Sequence, residues 1–207
     1  MMKYICLVAT FILFSFPLLA QEAVTKKGGL SVGDKAVDFS LKNVDGKMIS
    51  LADYKKEKGI VLVFTCNHCP YSVAYEDRIV ALHNAYQKSG FPVLAINSND
   101  PEVVPEDSYE NMQVRAKEKG FPFRYIYDAT QDIAKSYGAT KTPHVYLLKK
   151  NKKGFVVSYV GAIDDNSQNA DAVTEKYVEE AITAIQNGQK PEHETTKAIG
   201  CTIKWKK

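Results

Sequence analysis

The chain has 207 residues, with 27 basic against 24 acidic side chains, a formal net charge of +3 and 45% hydrophobic residues. A balance this close to neutral, with lysines and arginines scattered rather than gathered in a stripe, excludes nucleic-acid binding as the organising property.

Met1-Met2-Lys3 gives a short positive start, Ile5 to Leu19 is almost wholly apolar, and Leu18-Leu19-Ala20 precedes Gln21. This is the pattern of a secretory signal peptide over residues 1–20, and the apolar run is short for a bilayer span. The expectation is export, with the periplasm as the compartment and no membrane attachment after cleavage. Cys6 is lost with the leader. The three remaining cysteines, Cys66, Cys69 and Cys201, are too few for a disulfide-stapled scaffold and suggest one functional pair plus one extra. Residues 21–30, including Lys26-Lys27-Gly28-Gly29, read as a flexible lead-in.

Asp38 to Lys42 and Lys47 to Leu51 alternate around Asn43-Val44-Asp45-Gly46, which signals a β-hairpin. Leu51 to Tyr54 suits a helical turn. Ile60-Val61-Leu62-Val63-Phe64 is the run of a strand buried on both faces. After Cys66-Asn67-His68-Cys69, Pro70 fits the first turn of a helix, where its missing N–H costs nothing. Val73, Ile79, Val80, Leu82, Ala85 and Tyr86 recur at helical spacing over residues 72–89, and Gly90 stops the run. A second buried strand, Phe91 to Ile96, completes a βαβ unit with a right-handed crossover. A polar, Pro-punctuated loop (97–107) leads to a helix (109–119), a strand (123–127) and a short helix (131–137). Thr142-Pro143-His144 opens the strand Val145 to Leu148, turned at 149–154 into an antiparallel partner, Phe155 to Val160. A helix over 173–186 closes the fold. The class is α/β, one mixed sheet with helices on both faces.

The cysteine turn lies between a strand's end and a helix N-terminus, whose unpaired amides and dipole favour thiolate over thiol. Cys66 is expected to be the more exposed sulfur. A 66–69 bridge closes a short loop, so a reversible dithiol/disulfide couple is its natural use. His68 is either a solvent-facing turn residue or a partly cationic neighbour that stabilises the Cys66 thiolate. A zinc site needs four ligands, and besides His68 and Cys201 only the distant His83, His144 and His193 remain. No metal is expected. In the tail (188–207), Ile199, Cys201, Ile203 and Trp205 alternate with polar residues or glycine, so the segment is expected to dock extended. Cys201 is then a small buried hydrophobe, or a third redox cysteine that resolves an oxidised Cys66 or Cys69.

Taken together, these motifs resemble the thioredoxin-fold superfamily. More narrowly they resemble the extracytoplasmic redoxins related to peroxiredoxins, the AhpC/TSA-related, TlpA-like branch. The resemblance covers residues 31–187. It implies a thioredoxin-like domain with a central mixed sheet flanked by helices, an N-terminal hairpin, and a helix–strand insertion at residues 98–127. Ala198 to Trp205 is similar to the tail of a peroxiredoxin-like subgroup. By the same resemblance Cys66 matches the nucleophilic cysteine and Cys69 the resolving one. Pro143 matches the cis proline beside the disulfide, and Thr142 offers backbone hydrogen bonds to an incoming polypeptide. Two departures stand out: Thr65 replaces the usual tryptophan, and Gly59 to Val63 holds no counterpart of the family's buried acid. The implied activity is a thiol–disulfide oxidoreductase that acts on protein thiols or disulfides, with a separate redox partner and no dissociable cofactor.

Two alternatives stand beside it. A thiol peroxidase would use Cys69-Pro70, with an arginine such as Arg115 or Arg124 at the sulfur. A copper carrier would use Cys66, Cys69 and a histidine such as His144.

Overall fold

The computed structural model describes residues 28–207; the expected signal peptide at 1–20 and most of the lead-in lie outside the described residues. Seven strands form one sheet in the order β2 (Met48–Ile49), β1 (Leu41–Asn43), β5 (Arg124–Tyr127), β4 (Val93–Asn97), β3 (Gly59–Phe64), β7 (His144–Asn151) and β8 (Gly154–Gly161). At its centre is β3 (Gly59–Phe64), every residue of it buried, parallel to β4 (Val93–Asn97) and antiparallel to β7 (His144–Asn151). The strand β5 (Arg124–Tyr127) extends the parallel half, and β8 (Gly154–Gly161) pairs with β7 through a register shift at Leu147/Leu148.

The hairpin strands are shorter than the alternation suggests: β1 is Leu41–Asn43 and β2 is Met48–Ile49. The Asp38 carboxylate accepts the N–H of Phe39 and of Leu51, so a side chain replaces the ladder there.

Period-two alternation along β3 sends its side chains to two cores. Val61 and Val63 face α1 (Pro70–Tyr86), α4 (Tyr177–Gln186) and Met112 of α2 (Tyr109–Glu118). Ile60, Leu62 and Phe64 face α3 (Asp132–Tyr137) and the N-terminal residues Ala36, Phe39, Leu51 and Tyr54. Each fully buried aliphatic side chain contributes about 1.5–3 kcal/mol, which fixes the strand under the cysteine turn.

The helix α1 buries Ser72, Tyr75, Glu76, Ile79, Leu82 and His83, whereas Val73 is exposed. The i, i+3, i+4 rhythm holds, but the stripe is rotated from the apolar one read in sequence, because a carboxylate is paired inside it. Gly90, at φ 93°, ends the following 3-10 turn in the left-handed region that favours glycine. The last helix starts at Tyr177 rather than at 173, because the Asp165 side chain accepts the N–H and hydroxyl of Thr174 and holds that stretch as a loop.

The tail runs back across the molecule. The N–H of Thr196 donates to the carbonyl of Val160 on β8. Then β9 (Cys201–Thr202) pairs antiparallel with β6 (Lys141–Thr142), Thr142 opposite Cys201. Gln131, at φ 65°, fastens the residues after β9: its amide donates to the carbonyls of Ser98 and Lys204 and accepts the N–H of Lys206. A non-glycine residue in that conformation is held by its surroundings. The expected apolar face of the tail is only partly used. Ile203 is buried, while Ile199 and Trp205 are exposed.

Candidate functional site

The cysteine turn leaves the C-terminal end of β3 and enters α1, with Cys69 at the N-cap and Pro70 in the first turn. The chain meets it from the other side at Thr142-Pro143, joined by a cis peptide bond. Both sulfurs rest on Thr142: Cys66 Sγ lies 3.4 Å from its hydroxyl, and Cys69 Sγ 3.3 Å from its carbonyl oxygen. Cys66 Sγ also donates to the Ser72 hydroxyl at 3.7 Å.

The bridge differs from the expected one. Cys69 is joined to Cys201, and Cys66 is a free thiol. The register of β9 on β6 explains it, since Cys201 opposite Thr142 sits over the same residue whose carbonyl touches Cys69. Cys201 is therefore a cystine half, not a buried free hydrophobe. Cys66, expected to be the more exposed sulfur, is 3% accessible against 0% for Cys69, so both are buried. The Cys66 thiol is pushed up, first by burial and next by the negative Asp107; hydrogen bonding with Thr142, the Cys69 backbone and Ser72 pulls the other way. The dipole argument applies to Cys69, the N-cap, and not to Cys66 four residues before the helix.

Asp107 is the residue that the sequence did not single out. It lies in a 3-10 turn, Pro105–Asp107, after the loop that leaves β4, and its side chain is fully buried. Its carboxylate accepts the N–H of Asn67 at 2.6 Å, the Asn99 amide at 2.7 Å and, at 2.5 Å, the Nδ1–H of His68. A carboxylate only accepts, so Nδ1 of the His68 ring is the donor to Asp107. In sequence, Asp107 is one of several acids between 100 and 110; the Ser108 N-cap just after it is the one local sign that the chain turns there.

Cys66, His68 and Asp107 place their ligand atoms within 4.8 Å of one another, a set able to hold a cation. Asp107 already accepts hydrogen bonds from three donors there. The copper reading is not assembled, because Cys69 is bridged and His144 packs on the Tyr146 ring with centroids 5.0 Å apart. Nor do the two arginines reach the sulfurs. Arg115 holds Glu76 through two bonds, at 2.7 and 2.9 Å, and Arg124 lies over the Tyr54 ring.

A βαβ core, a cysteine turn at the strand-to-helix junction and a cis proline facing it define a thioredoxin-fold redoxin. The AhpC/TSA family profile matches residues 32–165, and the chain belongs to that family. It is 30% identical over 132 residues to the thiol-disulfide oxidoreductase ResA of Geobacillus thermodenitrificans, covering 62% of this chain and 70% of that one. Two solved structures align over most of the fold. One, an uncharacterized conserved protein of Geobacillus kaustophilus, is 40% identical, with TM-score 0.78 and coverage of 84% and 92%. The other, from Sinorhizobium meliloti 1021, is 32% identical, with TM-score 0.79 and coverage of 86% and 96%.

Proposed function

We propose that the protein is a thiol–disulfide oxidoreductase acting on protein thiols and disulfides, with Cys66 as nucleophile and Cys69 as resolving cysteine. The observation that carries this reading is the seating of both sulfurs on Thr142 beside cis Pro143. In the dithiol form the Cys66 thiolate attacks a substrate disulfide and gives a mixed disulfide. Cys69 then attacks Cys66 Sγ, the Cys66–Cys69 bond forms, and the substrate leaves as a thiol. The oxidising direction is the reverse, and a separate redox partner restores the starting state. The leader pattern at residues 1–20 supports work outside the cytoplasm, the periplasm in particular. Reduction of a protein disulfide under a thiol reductant tests the reading. Cys66→Ser should abolish turnover, and Cys69→Ser should accumulate mixed disulfides; full activity in both variants would refute it.

The Cys69–Cys201 bridge also supports a second reading, a thiol peroxidase in which Cys201 resolves a sulfenate on Cys69. Peroxide consumption that survives Cys66→Ser and is lost in Cys69→Ser would favour it. The engagement of Arg115 with Glu76 weighs against it.

A further inference from the structure

The edge of β6 beside the cis proline is occupied by the chain's own tail. Thr142 pairs with Cys201 and Lys141 with Thr202, and the N–H of Ile203 donates to the carbonyl of Thr140 at 3.2 Å. Gly200 comes so close that a Cβ there would collide with the carbonyl of Thr142. The seat therefore takes an extended strand in which a residue without a side chain precedes the cysteine.

We propose that Gly200-Cys201-Thr202 is a tethered pseudo-substrate on this edge, and that the external partner it mimics is an extended polypeptide carrying Gly-Cys. This rests on the oxidoreductase reading above and names its substrate class and its third cysteine. The tail leaves and returns by exchange alone. The Cys66 thiolate attacks Cys69 Sγ, the Cys66–Cys69 bond forms as Cys69–Cys201 breaks, and Cys201 departs as a thiolate that takes a proton from water. One disulfide is present before and after, so no outside oxidant is needed.

The tether makes the exchange reversible. Upstream, Glu194 to Thr196 stay on β8; downstream, Lys204 stays bonded to Asn99, Asp100 and Gln131. Held at both sides, Cys201 stays at high effective concentration near Cys69 after the bond is exchanged. Its remaining hold on β6 is then a two-residue ladder, which an incoming strand can displace.

The test compares full-length wild type, Cys201→Ser and Gly200→Ala on two disulfide probes. Each is a short peptide joined to a chromogenic thiol, one reading Gly-Cys-Thr and the other Leu-Cys-Thr. With the edge open a tenth of the time in wild type, both variants should lower KM for the Gly-Cys probe about tenfold. A side-chain clash worth about 1.4 kcal/mol should cut kcat/KM for the Leu-Cys probe about tenfold in all three proteins. Equal KM in wild type and both variants, or equal use of the two probes, overturns the proposal. If no protein turns over either probe, the oxidoreductase reading fails, and hydrogen exchange at Ile203, whose N–H donates to the carbonyl of Thr140, decides the tail. Protection that falls about tenfold when the protein is reduced supports the tether, since about 1.4 kcal/mol of local stability is then lost. Unchanged protection overturns it.

Discussion

Charging His144 should unfold this protein from the edge of its redox site. The ring follows cis Pro143 on β7, packs on Tyr146, and leaves its Nδ1 buried without a partner among the described residues. Burial pulls its pKa from 6.5 down to about 4. In the folded state the ring stays neutral where the unfolded chain takes up a proton. The associated stability is therefore present above pH 6.5 and is lost as pH falls towards 4. Between pH 7 and pH 4.5 the loss is about 2.5 kcal/mol. His144→Phe keeps a ring on Tyr146 and removes the titration. Urea unfolding of both proteins at the two pH values isolates the effect, because the other carboxylates and histidines are common to both. With a urea slope of about 2 kcal/mol/M, the wild-type midpoint should drop by about 1 M more than that of the variant. Parallel losses in the two proteins would refute the argument.

Asp107→Asn keeps an acceptor for Asn67 but turns a donor towards His68 and Asn99; unmet buried donors should cost about 2–4 kcal/mol of unfolding free energy in denaturant titration. Removing the charge should also lower the Cys66 pKa, so alkylation of that thiol at pH 7.5 should speed up. A slower or unchanged rate would show that Asp107 does not add to burial in raising the Cys66 pKa. Arg115→Ala should leave Glu76 buried with Lys119 alone and cost about 3–5 kcal/mol, a fall in melting temperature of about 10 °C by calorimetry. Ile182→Ala on α4 should cost about 2–5 kcal/mol in the same assay, as expected for a cavity in the helix-covered core.

The framework was legible where one physical signal dominated. The run Ile60 to Phe64 reads as a buried strand and Pro70 as the opening of a helix, so the amino-acid sequence alone places the cysteine turn between them. The cis Thr142–Pro143 bond followed from the family resemblance. Relations between distant elements escaped. Asp107 looks like its acidic neighbours, and only the close return of the 105–107 turn onto Asn67 and His68 makes it part of the site. Glu76 sits on the buried face of α1 because Arg115, on another helix, neutralises it, and no periodicity reveals such a partner. The alternation of the tail suggested docking but not the register, and the register is what chose Cys69 over Cys66 as the partner of Cys201.

The span of that bridge has a consequence for the lifetime of the molecule. Cys69 and Cys201 are separated by 132 residues, so their cross-link restrains the unfolded chain by about 5 kcal/mol in chain-entropy terms. A bridge between Cys66 and Cys69 closes a loop of a few residues and restrains it by only about 2 kcal/mol. Moving one covalent bond by a few ångströms thus removes about 3 kcal/mol of protection against unfolding while the folded architecture stays the same. The molecule with Cys201 released is the one that a protease or a warm environment destroys first. Wear should therefore accumulate with turnover rather than with time, and an idle population should outlast a working one.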